Sequence, residues 1–121
     1  MNFSFYLIYT RVGIAESCLE VFNLREITAK ELEDKLHARE RLKIIDVRED
    51  EEVAAGKIPN AIHLPLGQIP DRINELDKNE HYYIVCRSGG RSANACQYLH
   101  QLGHNVTNMV GGMLEWEGET E

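Results

Sequence analysis

Four short runs rich in β-branched and aromatic residues, at positions 42–47, 61–64, 81–86 and 106–110, alternate with stretches whose apolar residues recur every three or four positions. A chain that keeps switching between these two periods is confined to α/β architecture, with strands and helices following one another. The ordered pattern opens near Leu24. Thr28 followed by Glu31 reads as a capping box, in which hydroxyl and carboxylate satisfy orphan amides reciprocally at a helix start. Leu32 and Leu36, one turn apart, supply the inner stripe of that helix. The acidic run 49–52 suits the first turn of a second helix, where the macrodipole favours negative charge, and is assigned no chemistry. Ile69, Ile73 and Leu76 predict a helix ahead of the strand at 81–86. Another covers 92–102, with Cys96, Leu99 and Leu102 on one side and Gly103 as its stop. Gly111 and Gly112 break the last strand, after which Met113 and Trp116 place a short helix over the core.

With 121 residues the chain holds one domain. Its 43% hydrophobic and 27% charged residues form a globular profile that builds a core without disulfide or metal staples. The net charge of −7, from 13 basic and 20 acidic residues, argues against general affinity for nucleic acid or anionic membrane. Any anion site must therefore be local. Three cysteines, Cys18, Cys86 and Cys96, without a Cys-x-x-Cys pair fit the reducing cytoplasm better than a secreted disulfide framework. The apolar stretch at 3–9 contains Ser4 and is far shorter than the ~20 residues of a membrane helix. Arg11 follows that stretch, whereas a signal peptide carries its positive charge ahead of it. Residues 1–23 are expected to be an N-terminal extension of a domain at 24–121. A loosely docked element, an anchor for a partner and an extension from an early start codon all remain open for them.

The stretch Cys86, Arg87, Ser88, Gly89, Gly90, Arg91, Ser92 lies between a predicted central strand and a predicted helix. Two adjacent glycines let the backbone curl until successive N–H groups face one concavity, and the helix adds the positive end of its dipole. A sulfur at the rim of such a cradle is held as thiolate, because helix N-termini and neighbouring arginines lower a thiol pKa. Ligands also bind at the carboxyl ends of strands in an open parallel sheet, so position and chemistry agree. Cys86 is thus the candidate nucleophile. Cys96 shares a helix face with Leu99 and reads as core filler, and Cys18 has no assignment.

The succession Asp46-Val47-Arg48-Glu49, Gly56-Lys57-Ile58-Pro59-Asn60-Ala61, then 86–92, then Gly111-Gly112-Met113 with Trp116 resembles the single-domain rhodaneses, the thiosulfate sulfurtransferase-like family, over about residues 24 to 118. The resemblance implies a three-layer α/β domain with a central, mostly parallel five-stranded sheet and helices on both faces. It also implies a loop cysteine that takes sulfane sulfur from a donor such as thiosulfate and carries it as a persulfide. An acceptor, cyanide in assays or a thiol in cells, then removes the sulfur. Carried onto this chain, Cys86 is the nucleophile and persulfide carrier, while the amides of Arg87 through Ser92 hold the anionic sulfur and the sulfonate end of the donor. Arg87 and Arg91 become candidates for recognising the donor's charge. Arg48, at the end of a neighbouring strand, stands evenly between lining the same pocket and being an ordinary surface arginine. Asp46 is expected to order the loops by hydrogen bonding, since a thiolate already formed needs no base. Lys57 departs from the histidine that many relatives carry after the glycine, in a turn outside the loop.

Two rivals differ in class. Cysteine phosphatases and arsenate reductases of similar fold place five residues between cysteine and arginine to enclose a tetrahedral oxyanion, whereas four separate Cys86 from Arg91. The smaller ring suits one sulfur atom. A persulfide relay or binding module acting with a protein partner is the second, and a relay needs the same thiolate and cradle as an enzyme. No cofactor is expected. Gly89-Gly90 lacks the spacing of a nucleotide or dinucleotide loop, and His100 and His104 flank the helix stop at Gly103 and read as surface residues rather than metal ligands.

Overall fold

The computed structural model describes residues 24–121. Five strands, β1 (Arg25–Thr28), β2 (Lys43–Asp46), β3 (Ile62–His63), β4 (His81–Val85) and β5 (Asn105–Val110), form one sheet in the order β1-β5-β4-β2-β3. Every neighbouring pair is parallel. Three α-helices accompany them: α1 (Ala29–His37), α2 (Asp50–Ala54) and α3 (Gly90–Gln101). No helix among the described residues is long and apolar enough to cross a membrane.

Two cores flank the sheet because consecutive strand residues point to opposite faces. Ile45, Ile84 and Val106 pack on one side with Ala95, Cys96 and Leu99 of α3, joined by Leu64 and Ile69. Ile44, Tyr83, Val85 and Met109 pack on the other with Ile27 and Leu32, and Leu36, Met113 and Trp116 close over them. The register sets Ile44 beside Tyr83 and Ile45 beside Ile84, so each layer of the core runs straight across β2 and β4. The arrangement is the three-layer α/β sandwich expected, with all strands parallel.

Local chemistry sets the ends of the elements. Glu31 N donates to Thr28 Oγ1 at 3.0 Å and Thr28 N to Glu31 Oε1 at 2.9 Å, which completes the predicted capping box. At the other end of the domain Gly103 (φ +92°) terminates α3, with Gly103 N donating to His100 O and His104 N to Leu99 O. That reciprocal pair is a Schellman stop. The helix predicted from Ile69, Ile73 and Leu76 is instead two 3₁₀ segments, Leu66–Gln68 and Pro70–Glu75, with non-helical geometry at Arg72. Pro70 has no N–H to donate, and the three-residue repeat of the tighter helix still carries Ile69 into the core. The terminal helix is likewise one 3₁₀ segment, Gly112–Glu115. β1 carries no apolar run. It is an edge strand of sequence Arg-Glu-Ile-Thr with only Ile27 buried.

At the carboxyl end of β2 the chain is tied down by a buried ion pair. Asp46 is 0% and Arg48 7% exposed, and the carboxylate accepts from Arg48 N, Nε and Nη2 at 2.8–3.1 Å. The same guanidinium reaches Gly56 O at 2.8 Å and Glu52 O at 3.4 Å, while His63 Nε2 lies 2.7 Å from Arg48 O. Removing one member strands the other charge. Asp46→Ala is expected to lower stability by about 3–5 kcal/mol in urea unfolding.

Candidate active site

β4 ends at Val85, and Cys86 is the first residue beyond it. The backbone then turns at Gly89, whose φ of +103° a side chain would strain, and enters α3 at Gly90, two residues earlier than periodicity indicates. Gly90, Arg91 and Ser92 therefore occupy the first turn of the helix, where amides have no carbonyl to meet within it. Gly89 N donates to Cys86 Sγ at 3.0 Å, and Ser92 Oγ lies 3.3 Å from the same sulfur. Ser92 Oγ is also 3.2 Å from Gly89 O. Its one proton can face the carbonyl while Cys86 is a thiol and rotate to the sulfur once that is ionised.

The sulfur sits at the floor of the loop rather than at its rim, with Cys86 only 1% exposed. Burial pushes the thiol pKa up. Hydrogen bonds from the Ser92 hydroxyl and from the amides of Ser92, Gly89 and Ser88 outweigh it, and the thiol is held below its ordinary value. Cys96, also buried, has no such donors, and burial followed by the nearby Cys86 charge takes it up to about 12. The two described cysteines therefore differ in ionisation by environment alone.

The second glycine pair is the wall on which this loop is built. Met113 N donates to Cys86 O at 2.8 Å and Leu114 N to Arg87 O at 3.0 Å. A Cβ on Gly112 would stand 2.4 Å from Arg87 O and 2.6 Å from Cys86 O, and one on Gly89 would stand 3.1 Å from Gly111 N. Such approaches admit only glycine at 112. Asn108 Nδ2 reaches Gly89 O at 3.4 Å from β5.

The arginines are distributed unequally. Arg87 is exposed on the loop and forms no ion pair among the described residues. Arg91 leans across to α2, where Nη1 and Nη2 each donate to one oxygen of Glu52 at 2.7 Å. Those bonds, with a further one from Glu49 N, bring the Glu52 carboxyl down to about 2. Arg48 is taken up by Asp46 and the carbonyls of Glu52 and Gly56, so its guanidinium is already engaged. Glu52 went unmarked in the sequence because an acidic residue in a first turn already has a sufficient local reason to be there. Residues 1–23, with Cys18, lie outside the described residues. Ser92→Ala is expected to raise the pH at which Cys86 ionises and to slow its alkylation at neutral pH. The ultraviolet absorbance of the thiolate followed against pH checks this.

The same fold is found among known proteins. The chain matches the Rhodanese-like domain family over residues 28–119. It is 50% identical over 98 residues to a Bacillus subtilis protein named "Putative sulfurtransferase YtwF", covering 81% of this chain and 95% of that one. It is 39% identical over 114 residues to the "Putative sulfur carrier protein YrkF" of the same organism, covering 93% of this chain and 62% of the other. Among solved structures, a rhodanese-like domain protein from Staphylococcus aureus superposes with a TM-score of 0.77 at 46% identity, over 81% of this chain and 97% of that one. With its parallel five-stranded sheet and a cysteine loop at the end of β4, the chain belongs to the rhodanese-like domain family.

Proposed function

We propose that this protein moves sulfane sulfur from an anionic donor such as thiosulfate to a thiophilic acceptor, cyanide or a thiol, through a persulfide on Cys86. The reading is carried by one observation: the Cys86 sulfur lies 3.0 Å from Gly89 N and 3.3 Å from Ser92 Oγ in a loop whose donors lower its pKa. The thiolate attacks the outer sulfur of thiosulfate, the donor's S–S bond breaks, and its electron pair leaves with sulfite. The persulfide so formed keeps the negative charge that the thiolate brought. Cyanide attacks the outer sulfur in turn, and thiocyanate departs as the thiolate is restored.

The amides from Arg87 through Ser92 act on the anion at each stage, and being fixed by the fold they need no reorganisation. Arg87 meets the donor at the mouth, Arg91 closes the loop in the first turn of α3 through its pair with Glu52, and Arg48 acts through the stability of the neighbouring loop. Two free cysteines among the described residues suit the cytoplasm, where thiols stay reduced.

Relay to a protein partner is the second reading. Leu114 is 63% exposed, and its amide is bonded to Arg87 O, so an apolar side chain stands in the open beside the loop. The similarity to a protein named a sulfur carrier supports this reading. Exposure to thiosulfate is expected to add the mass of one sulfur to Cys86, and Cys86→Ser to abolish both that gain and thiocyanate formation. Strong cyanide turnover then indicates a stand-alone enzyme, and a loaded Cys86 with weak turnover indicates a relay. With the domain beginning at residue 24, deletion of residues 1–23 is expected to leave these activities within about twofold, by the same kinetics.

A further inference from the structure

The two loop arginines present different charges to an arriving donor. Arg87 is exposed and free of ion pairs among the described residues. Arg91 is held by both oxygens of Glu52 at 2.7 Å, with side chains 33% and 28% exposed. Glu52 is itself fixed: Oε1 accepts Glu49 N at 3.0 Å in the capping box of α2, and its carbonyl accepts Arg48 Nη1. The carboxylate is thus a built part of the mouth, and Glu49 adds further negative charge there.

A guanidinium paired on two of its nitrogens with a carboxylate offers little net charge to a third party. The loss falls hardest on the donor with the most charge, because Coulomb attraction scales with it. Thiosulfate carries two negative charges. The sulfur-bearing group of an alkyl thiosulfonate or of a thiol persulfide carries one at most.

We propose that Glu52 is a specificity-determining residue, which withholds Arg91 from the donor by bidentate pairing and turns the site from doubly charged donors toward thiol persulfides and other donors of lower charge. This rests on the persulfide reading of Cys86. Transfer from such a persulfide balances without a further reactant: the Cys86 thiolate takes the outer sulfur, the donor's S–S bond breaks, and the donor leaves as its thiolate.

The test compares thiosulfate with methanethiosulfonate, which offers the same sulfane sulfur on a singly charged carrier, with cyanide as acceptor. Glu52→Gln removes the charge and keeps the shape. It is expected to lower KM for thiosulfate about tenfold and that for methanethiosulfonate only about twofold, the scale of one charge-assisted contact. Glu52→Asp, which keeps the charge, should stay near the wild-type ratio of kcat/KM for the two donors. A ratio that is unchanged in Glu52→Gln, or that moves toward methanethiosulfonate, overturns the proposal. Should Glu52→Gln not fold, the double variant Glu52→Gln/Arg91→Met, which removes both charges together and leaves no unpaired carboxylate at the mouth, decides. A withheld guanidinium predicts a thiosulfate KM within about twofold of wild type whatever happens to kcat, and a tenfold rise overturns it. Mass spectrometry of wild-type Cys86 after exposure to each donor separates the two ideas. Absence of added sulfur removes the persulfide reading and this proposal with it, whereas added sulfur with an unchanged ratio removes this proposal alone.

Discussion

A sulfur anion closed off from water persists only where hydrogen-bond donors replace the solvent it has lost. In this domain the replacement is the main chain after β4, and the rest of the structure is arranged to hold that segment in one shape. Gly89 supplies the left-handed turn, α3 brings the open amides of its first turn, and Ser92 adds a hydroxyl whose proton can follow the charge. Without them burial would act unopposed, as it does at Cys96 together with the nearby Cys86 charge, and the thiol would stay protonated at any physiological pH.

That curl has to be braced, because a loop rich in glycine loses more freedom on ordering than any other. The brace is another stretch of backbone. Met113 and Leu114 donate to the carbonyls of Cys86 and Arg87, an approach possible only because position 112 has no side chain. The cradle and its wall come from the ends of β4 and β5, which are neighbours in the sheet. A third support comes from β2, whose end is locked by the Asp46–Arg48 pair and from which α2 carries Glu52 to Arg91. The two ion pairs differ in kind. The first is enclosed and ties down a turn, while the second is about a third exposed and shapes the charge at the mouth of the site.

Much of the fold is legible along the chain because it follows from neighbours a few residues apart. The runs of Ile, Val and Tyr, the Thr28–Glu31 box and the stop at Gly103 are local signals answered by local geometry. Where the local signal is ambiguous the outcome departs from it. Ile69, Ile73 and Leu76 suit a helix in spacing, yet Pro70 and the short span leave only 3₁₀ turns. β1 has almost no apolar pattern to read, since an edge strand four residues long needs to bury only Ile27 and gains its place from pairing with β5.

The cysteine, the glycine pair and the helix that follows are contiguous, so their chemistry can be read from residues 86–92 taken alone. The fates of the arginines cannot. Arg48 and Arg91 look alike in sequence, but one finds Asp46 two positions away and the other finds Glu52 across 39 residues. The second contact exists because β2 and β4 lie side by side, which brings the starts of α2 and α3 together. Sheet order is settled by the packing of two whole cores. No local pattern encodes which strand ends become neighbours, and so the charge that Arg91 shows to a ligand belongs to the folded molecule alone.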